Sequence, residues 1–238
     1  MMIKFDEAYW AEVIKRPDWY MEFVPYANKV KESLGEGSEE LEQFNKTVRH
    51  FFEEALKNDS VALADHGPNL DAERQPIDTI VIHHTSAKPG YRLSYMEATQ
   101  LLNIYAPYFM NPTVREERNL KGTAIWSGHF RNGKPSFLAY HWLMRMDGQF
   151  VRLLDDHQIG WHAGNWDINK RSIGICLDND YEQMCPAAEQ LRQLAGHIKQ
   201  HYPNVKNIIG HREAREGTTC PGTHFLTEWK PLLLEKLQ

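Results

Sequence analysis

An α/β fold, with a mixed central sheet flanked by helices and an added N-terminal helical extension, is what this 238-residue sequence predicts. Three observations carry that reading. Short apolar runs at 79–85 and 172–177, and Ile208-Ile209 ending at Gly210, alternate with stripes of helical spacing. Asp147-Gly148 sits between two alternating runs and marks a hairpin, so one pair of strands is antiparallel. The first 60 residues carry helical stripes and no strand pattern.

Asp6 is placed to cap a helix over 7–15, with Phe5 and Trp10 as a hydrophobic staple. Pro17 stops or restarts that element. Residues 18–34 are aromatic-rich and read as partly helical, broken at Pro25, and Gly35 and Gly37 punctuate the chain. From Ser38 a helix is expected, because Leu41, Phe44, Val48, Phe51 and Ala55 recur at three- and four-residue steps and form one face to bury. Residues 1–76 are therefore expected to be a helical extension and linker, polar and loop-like from 58 onward, and 77–238 the main domain. The extension reads as a structural cover, with partner binding or substrate selection as the alternative.

On the strand 79–85, Val81 and His83 share one face and Ile82 and His84 the other. A helix is expected over 94–105. The segment 106–135, marked by Pro107, Pro112, Gly122, Gly128 and Gly133, has the length of a functional or disordered loop; lining a substrate groove is one role open to it, and no residue in it is assigned. Residues 137–146 alternate as a strand, with 149–154 as its return, so Tyr140, Trp142 and Met144 are expected on one face. Taken alone, Tyr140 reads as a packing residue. The loop Gly160-Trp161-His162-Ala163-Gly164-Asn165-Trp166 has glycines that let backbone approach a ligand and aromatic rings that suit a sugar or peptide, a purely structural loop being the alternative. Residues 172–177 read as a buried strand. Pro186 opens a helix with Leu191, Leu194, Ala195 and Ile198 on one stripe, and a last helix carries Leu226, Trp229, Leu232 and Leu233.

Composition narrows the class. A net charge of −5 with no basic stripe disfavours a nucleic-acid partner. Cys176, Cys185 and Cys220 are an odd count and too few for a disulfide scaffold, which fits a reducing compartment or a metal role. No signal peptide is visible at the start, and no apolar run reaches the ~20 residues a membrane span needs. Cytoplasmic residence is the expectation.

Chemistry concentrates at strand ends. His211 follows the strand that ends at Gly210, and the chain returns to Cys220, braced by Pro221-Gly222. A histidine and a thiolate suit zinc, and a catalytic zinc site takes three protein ligands. The third is expected from the strand 79–85, where only one of His83 and His84 can face a site on a given side.

The blocks VIHHTS, AYHWLMRMDG, GWHAGN, SIGICL and GHREAREGTTCPG, in this order, resemble the zinc-dependent N-acetylmuramoyl-L-alanine amidases, which include the phage T7-type lysozyme-amidase and the peptidoglycan recognition proteins. The resemblance covers about 77–229 and leaves 1–76 outside. It implies that His83, His211 and Cys220 ligate Zn2+, that Tyr140 and Thr218 are catalytic, and that His162 lies beside the substrate; Trp161 and Asn165 of the same loop are expected as further substrate-binding residues. Arg212 and Glu213 are expected to be structural. The cytoplasmic recycling branch of the family has aspartate where this chain has Cys220, and glutamate where it has Cys176.

What the resemblance implies about function is hydrolysis of the amide between N-acetylmuramic acid and L-alanine in peptidoglycan or muropeptides. Zinc lowers the pKa of water towards ~7 and polarises a carbonyl, which is what a stable amide requires. The alternatives are a non-catalytic muropeptide-binding module and a zinc peptidase acting on another amide. Such a substrate adds a second expectation for location, release or non-classical export to reach a cell wall.

Overall fold

The computed structural model describes residues 5–111, 120, 122–131 and 133–238. By compactness the chain divides into two units, Met1–Asn69 with Ser94–Phe137, and Leu70–Leu93 with Leu138–Gln238. The segment 94–137 thus belongs with the helical residues, and 70–76 with the sheet. Among the described residues no helix is long and apolar enough to cross a membrane.

In the first unit, helices span Glu7–Val13, Tyr20–Leu34 and Glu39–Lys57. Asp6 caps the first by accepting from the Tyr9 amide at 3.1 Å, and Phe5 stacks on Trp10 with ring centroids 6.2 Å apart. Pro25 does not break the second helix. It forgoes one amide hydrogen bond just beyond the first turn, and the buried Phe23 and Val30 hold the helix through it. The third helix buries Leu41, Phe44, Val48, Phe52 and Ala55, so Phe52 takes the inner place expected of Phe51. Phe51 instead packs edge-on against Phe5. The helix expected over 94–105 is a run of changing pitch: a tight turn at Arg92–Tyr95, helix at Met96–Gln100, a wide turn at Leu101–Tyr105 and helix again at Ala106–Met110. Pro112 lies outside the described residues.

Seven strands are described: β1 (Thr79–His84), β2 (Phe130–Arg131), β3 (Lys134–Pro135), β4 (Trp142–Met144), β5 (Phe150–Arg152), β6 (Ser172–Leu177) and β7 (Asn207–Gly210). β2 and β3 pair with each other in the first unit. The other five form the mixed sheet of the second unit, in the order β5-β4-β6-β1-β7. β1 runs parallel to both β6 and β7, β4 is parallel to β6, and only β5 is antiparallel, across the Asp147-Gly148 turn. The fold is the α/β class, as expected.

One face of this sheet makes the main core. Ile80, Ile82, Ile173, Ile175 and Ile208 pack with Leu191, Leu194 and Ile198 of the helix Ala188–His201, and with Phe225, Trp229 and Leu233 near the C-terminus. Each such side chain contributes about 1.5–3 kcal/mol on burial. The terminal stripe differs from the expected one, since Leu226 and Leu232 are exposed and Phe225 is buried. A wide turn at Phe225–Trp229 precedes the helix Lys230–Leu237, and the resulting face runs Phe225, Trp229, Leu233. The opposite face of β1 carries Val81 against Ala163 and Ala214. Alternation therefore assigns His83 to one side of the sheet and His84 to the other.

His197, on the core side, stacks flat on Phe150 at 3.8 Å and meets Trp142 edge-on at 4.5 Å. Burial, then the positive charge of His201 and Arg152, holds its pKa at about 4, with Asp156 opposing. An unfolded histidine titrates near ~6.5. As pH falls from about 6.5 to about 4, the unfolded chain binds a proton that the folded one refuses, so stability is full above this window and declines within it. His83 and His211 act in the same direction. Thermal melts at pH 7 and pH 5 should show lower stability at pH 5, and His197→Phe should make the dependence shallower by about one proton. A variant with an unchanged slope would show that His197 has no part in it.

Candidate metal centre

The carboxyl ends of adjacent parallel strands are where open α/β sheets gather ligands, and here they gather nitrogen and sulfur donors. His83 lies near the end of β1, and His211 opens the four-residue helix His211–Ala214 directly after β7. Cys220 returns to them on the following loop. Their donor atoms all lie within 4.8 Å of one another. Cys220 Sγ is 3.8 Å from His83 Nδ1.

The loop is clamped by its own neighbours. The Arg212 amide donates to the Cys220 carbonyl at 2.8 Å, and the Arg212 guanidinium donates to the Gly222 and Thr223 carbonyls. Glu213 accepts from the Gly210 amide and from Lys230. Both Arg212 and Glu213 thus spend their side chains on holding this loop. A Cβ on Gly222 would stand 1.9 Å from the Tyr181 carbonyl oxygen, so only glycine fits there. The Thr218 hydroxyl accepts from the Cys220 amide at 3.2 Å, which ties this residue to the loop that presents the sulfur.

Electrostatics select the protonation states. Burial, reinforced by neighbouring His211 and His162, holds the His83 pKa well below the usual histidine range. Burial and the charge of Arg215 lower His211 to about 4, against a hydrogen bond from its ring to the Ala163 backbone. Burial raises the Cys220 thiol to about 12, although the His84 backbone N–H bonds to the sulfur and opposes the rise. At neutral pH the site therefore holds two neutral imidazoles and one thiol, and a bound cation would displace the thiol proton.

These residues fit a zinc ion. A tetrahedral zinc with nitrogen and sulfur ligands separates its donors by roughly 3.4–3.7 Å, close to the sulfur–nitrogen spacing seen here. His211 Nε2 is buried and has no hydrogen-bond partner among the described residues, as a nitrogen reserved for a cation would be. His84 is excluded from the cluster. Its Nδ1 accepts from the Tyr181 amide at 2.9 Å on the other side of the strand.

Tyr140 reaches the cluster, with its ring centroid 4.9 Å from that of His83. Its expected grouping with Trp142 and Met144 is corrected. Those two pack into the main core, while Tyr140 lies before β4 begins, where strand alternation does not apply. The loop residues expected at the substrate do not form one exposed surface. Trp161 is buried with its ring edge-on to Trp166, and His162 is 4 % exposed and bonded to His83. Asn165 uses its side chain to cap the helix Trp166–Asn169, accepting from the Ile168 amide at 3.2 Å.

Several supporting residues had no role assigned from sequence. His141 Nδ1 accepts from the Gly174 amide, and its Nε2 faces the Gln158 carbonyl, each at 3.0 Å. Cys176 pairs in register with His83 but stays outside the ligand cluster, its thiol raised by burial and by the charge of Cys220. Arg74 donates to the carbonyls of Asp156, Asn169 and Ser172, which fastens the chain entering the sheet unit. His141 adjoins Tyr140 in AYHWLMRMDG, a signal the sequence carries; an isolated arginine in a polar linker carries none.

Two imidazoles and a thiol converging at the carboxyl ends of two adjacent parallel strands, with a tyrosine beside them, define a candidate mononuclear metal centre. The chain belongs to the N-acetylmuramoyl-L-alanine amidase family, whose sequence pattern matches residues 73–223. None of the curated proteins matches it. Similar solved structures include the endolysin amidase LysCS from Clostridium intestinale URNW, 20% identical over 69% of this chain and 85% of that one, with a TM-score of 0.41. A selenomethionine AmpD derivative is 21% identical over 75% and 93%, with a TM-score of 0.43. Drosophila peptidoglycan recognition protein SD is 20% identical over 62% and 76%, with a TM-score of 0.39.

Proposed function

We propose that this chain is a zinc-dependent hydrolase that cuts the amide between the lactyl group of N-acetylmuramic acid and L-alanine in peptidoglycan or its fragments. The observation that carries the reading is the convergence of His83, His211 and Cys220, with Tyr140 next to His83. Membership of the amidase family over 73–223 supports the bond. Zinc in this site would supply Lewis acidity, with two neutral histidines and one thiolate leaving a net charge of +1.

The protein groups have distinct parts. Tyr140 donates a hydrogen bond to the oxygen on which charge develops as the carbonyl becomes tetrahedral. Thr218 holds the Cys220 amide and so sets the position of the sulfur. Arg212 keeps the loop closed from behind. A His-His-Cys set that could hold zinc supports catalysis over simple muropeptide binding.

Mass analysis of digested peptidoglycan and of soluble muropeptides tests the reading. Free stem peptides beginning with L-alanine are expected, together with sugar chains bearing free lactyl carboxylates. Binding with no release of peptide would point to a recognition module, and cleavage within the stem peptide to a peptidase.

A further inference from the structure

We infer that His162 is the positioning residue for His83: it accepts the His83 Nε2–H and thereby commits His83 Nδ1 to the metal. The inference rests on the zinc reading above.

His83 Nδ1 faces the donor cluster, 3.8 Å from Cys220 Sγ, and His83 Nε2 is 3.0 Å from His162 Nδ1. A nitrogen that gives its lone pair to a cation carries no proton, so neutral His83 must be protonated on Nε2. That N–H donates to His162 Nδ1, which is then bare. Neutral His162 must in turn carry its proton on Nε2, which lies 3.3 Å from Ser172 Oγ and donates there. The opposite arrangement puts a proton on His83 Nδ1, facing the cluster, and excludes a cation. A single proton pattern along Ser172, His162 and His83 is compatible with metal binding.

The surroundings hold His162 in that pose. It is buried, and a Cβ on Gly174 would stand 2.8 Å from its ring, so the glycine of the 172–177 strand provides the floor on which the imidazole rests. His141 fixes that floor by accepting the Gly174 amide. Metal-bound histidines usually pass their second N–H to a carboxylate, a carbonyl or water. A neutral imidazole orients the ring without adding negative charge, which leaves the net positive charge of a two-histidine, one-thiolate zinc site undiminished.

Zinc competition against a chromophoric chelator, on the full chain, tests this with His162→Leu and His162→Asn. Leucine cannot accept the bond, and zinc should bind about ten- to a hundred-fold more weakly. Asparagine places an amide oxygen near the position of Nδ1 and should recover most of the loss, which a merely space-filling role would not produce. Nitrogen NMR of the zinc-loaded wild type should find His162 protonated on Nε2. A leucine variant with wild-type zinc affinity, or a His162 proton on Nδ1, overturns the inference. If the leucine variant does not fold, the NMR result decides alone. A wild type that takes up no zinc removes the metal reading and this inference together, whereas zinc uptake indifferent to His162 removes only the latter.

Discussion

Cys220→Ser is expected to abolish amidase activity and to strip most of the zinc while leaving the fold intact. The loop does not depend on the thiol for its shape, because the Arg212 amide bonds the Cys220 carbonyl and the Thr218 hydroxyl bonds its amide. What the substitution removes is a soft anionic ligand, and a serine hydroxyl does not ionise to replace it. His83→Ala and His211→Ala should act in the same direction, each leaving two ligands where a catalytic zinc site needs three. His84→Ala is the control. It loses the acceptor for the Tyr181 amide and should cost about 1–3 kcal/mol of stability while retaining zinc. Elemental analysis and turnover on one muropeptide check the set. Full zinc retention in all three ligand variants would sink the assignment.

Tyr140→Phe should separate chemistry from metal binding. The ring, next to His83 and half-buried, is preserved by phenylalanine, so fold and zinc content should not change. Only the hydroxyl is lost. One preorganised donor to a developing oxyanion contributes roughly 3–4 kcal/mol in the transition state, or about 10²–10³ in kcat. A fall in kcat of more than tenfold is expected, with a smaller change in KM, because the hydroxyl acts on the transition state more than on bound substrate. Unchanged turnover in a zinc-replete variant would reduce Tyr140 to a packing residue.

By itself the sequence determined the class of sheet and the hairpin that makes it mixed, and it marked His211, Cys220 and one of His83 and His84 as metal-ligand candidates. Each of these is encoded locally. Apolar runs ending in His83 and His211 mark strand ends, Asp147-Gly148 marks a turn, and the blocks appear in a fixed order. Alternation also required His83 and His84 to face opposite ways, and packing then put Ile80 and Ile82 in the core and left His83 for the site. Tertiary structure decided how these side chains meet. β4 starts at Trp142, so Tyr140 escapes the alternation that its neighbours obey and reaches His83. His162, expected beside the substrate, is buried where Gly174 leaves room for its ring and His83 offers a hydrogen-bond partner. Trp161 turns inward beside Trp166, and Asn165 is taken up by a helix cap. Periodicity reports which face of an element is apolar. Which polar group meets which depends on contacts between residues far apart in the chain, such as the 79 positions between His83 and His162, and no local pattern carries that information.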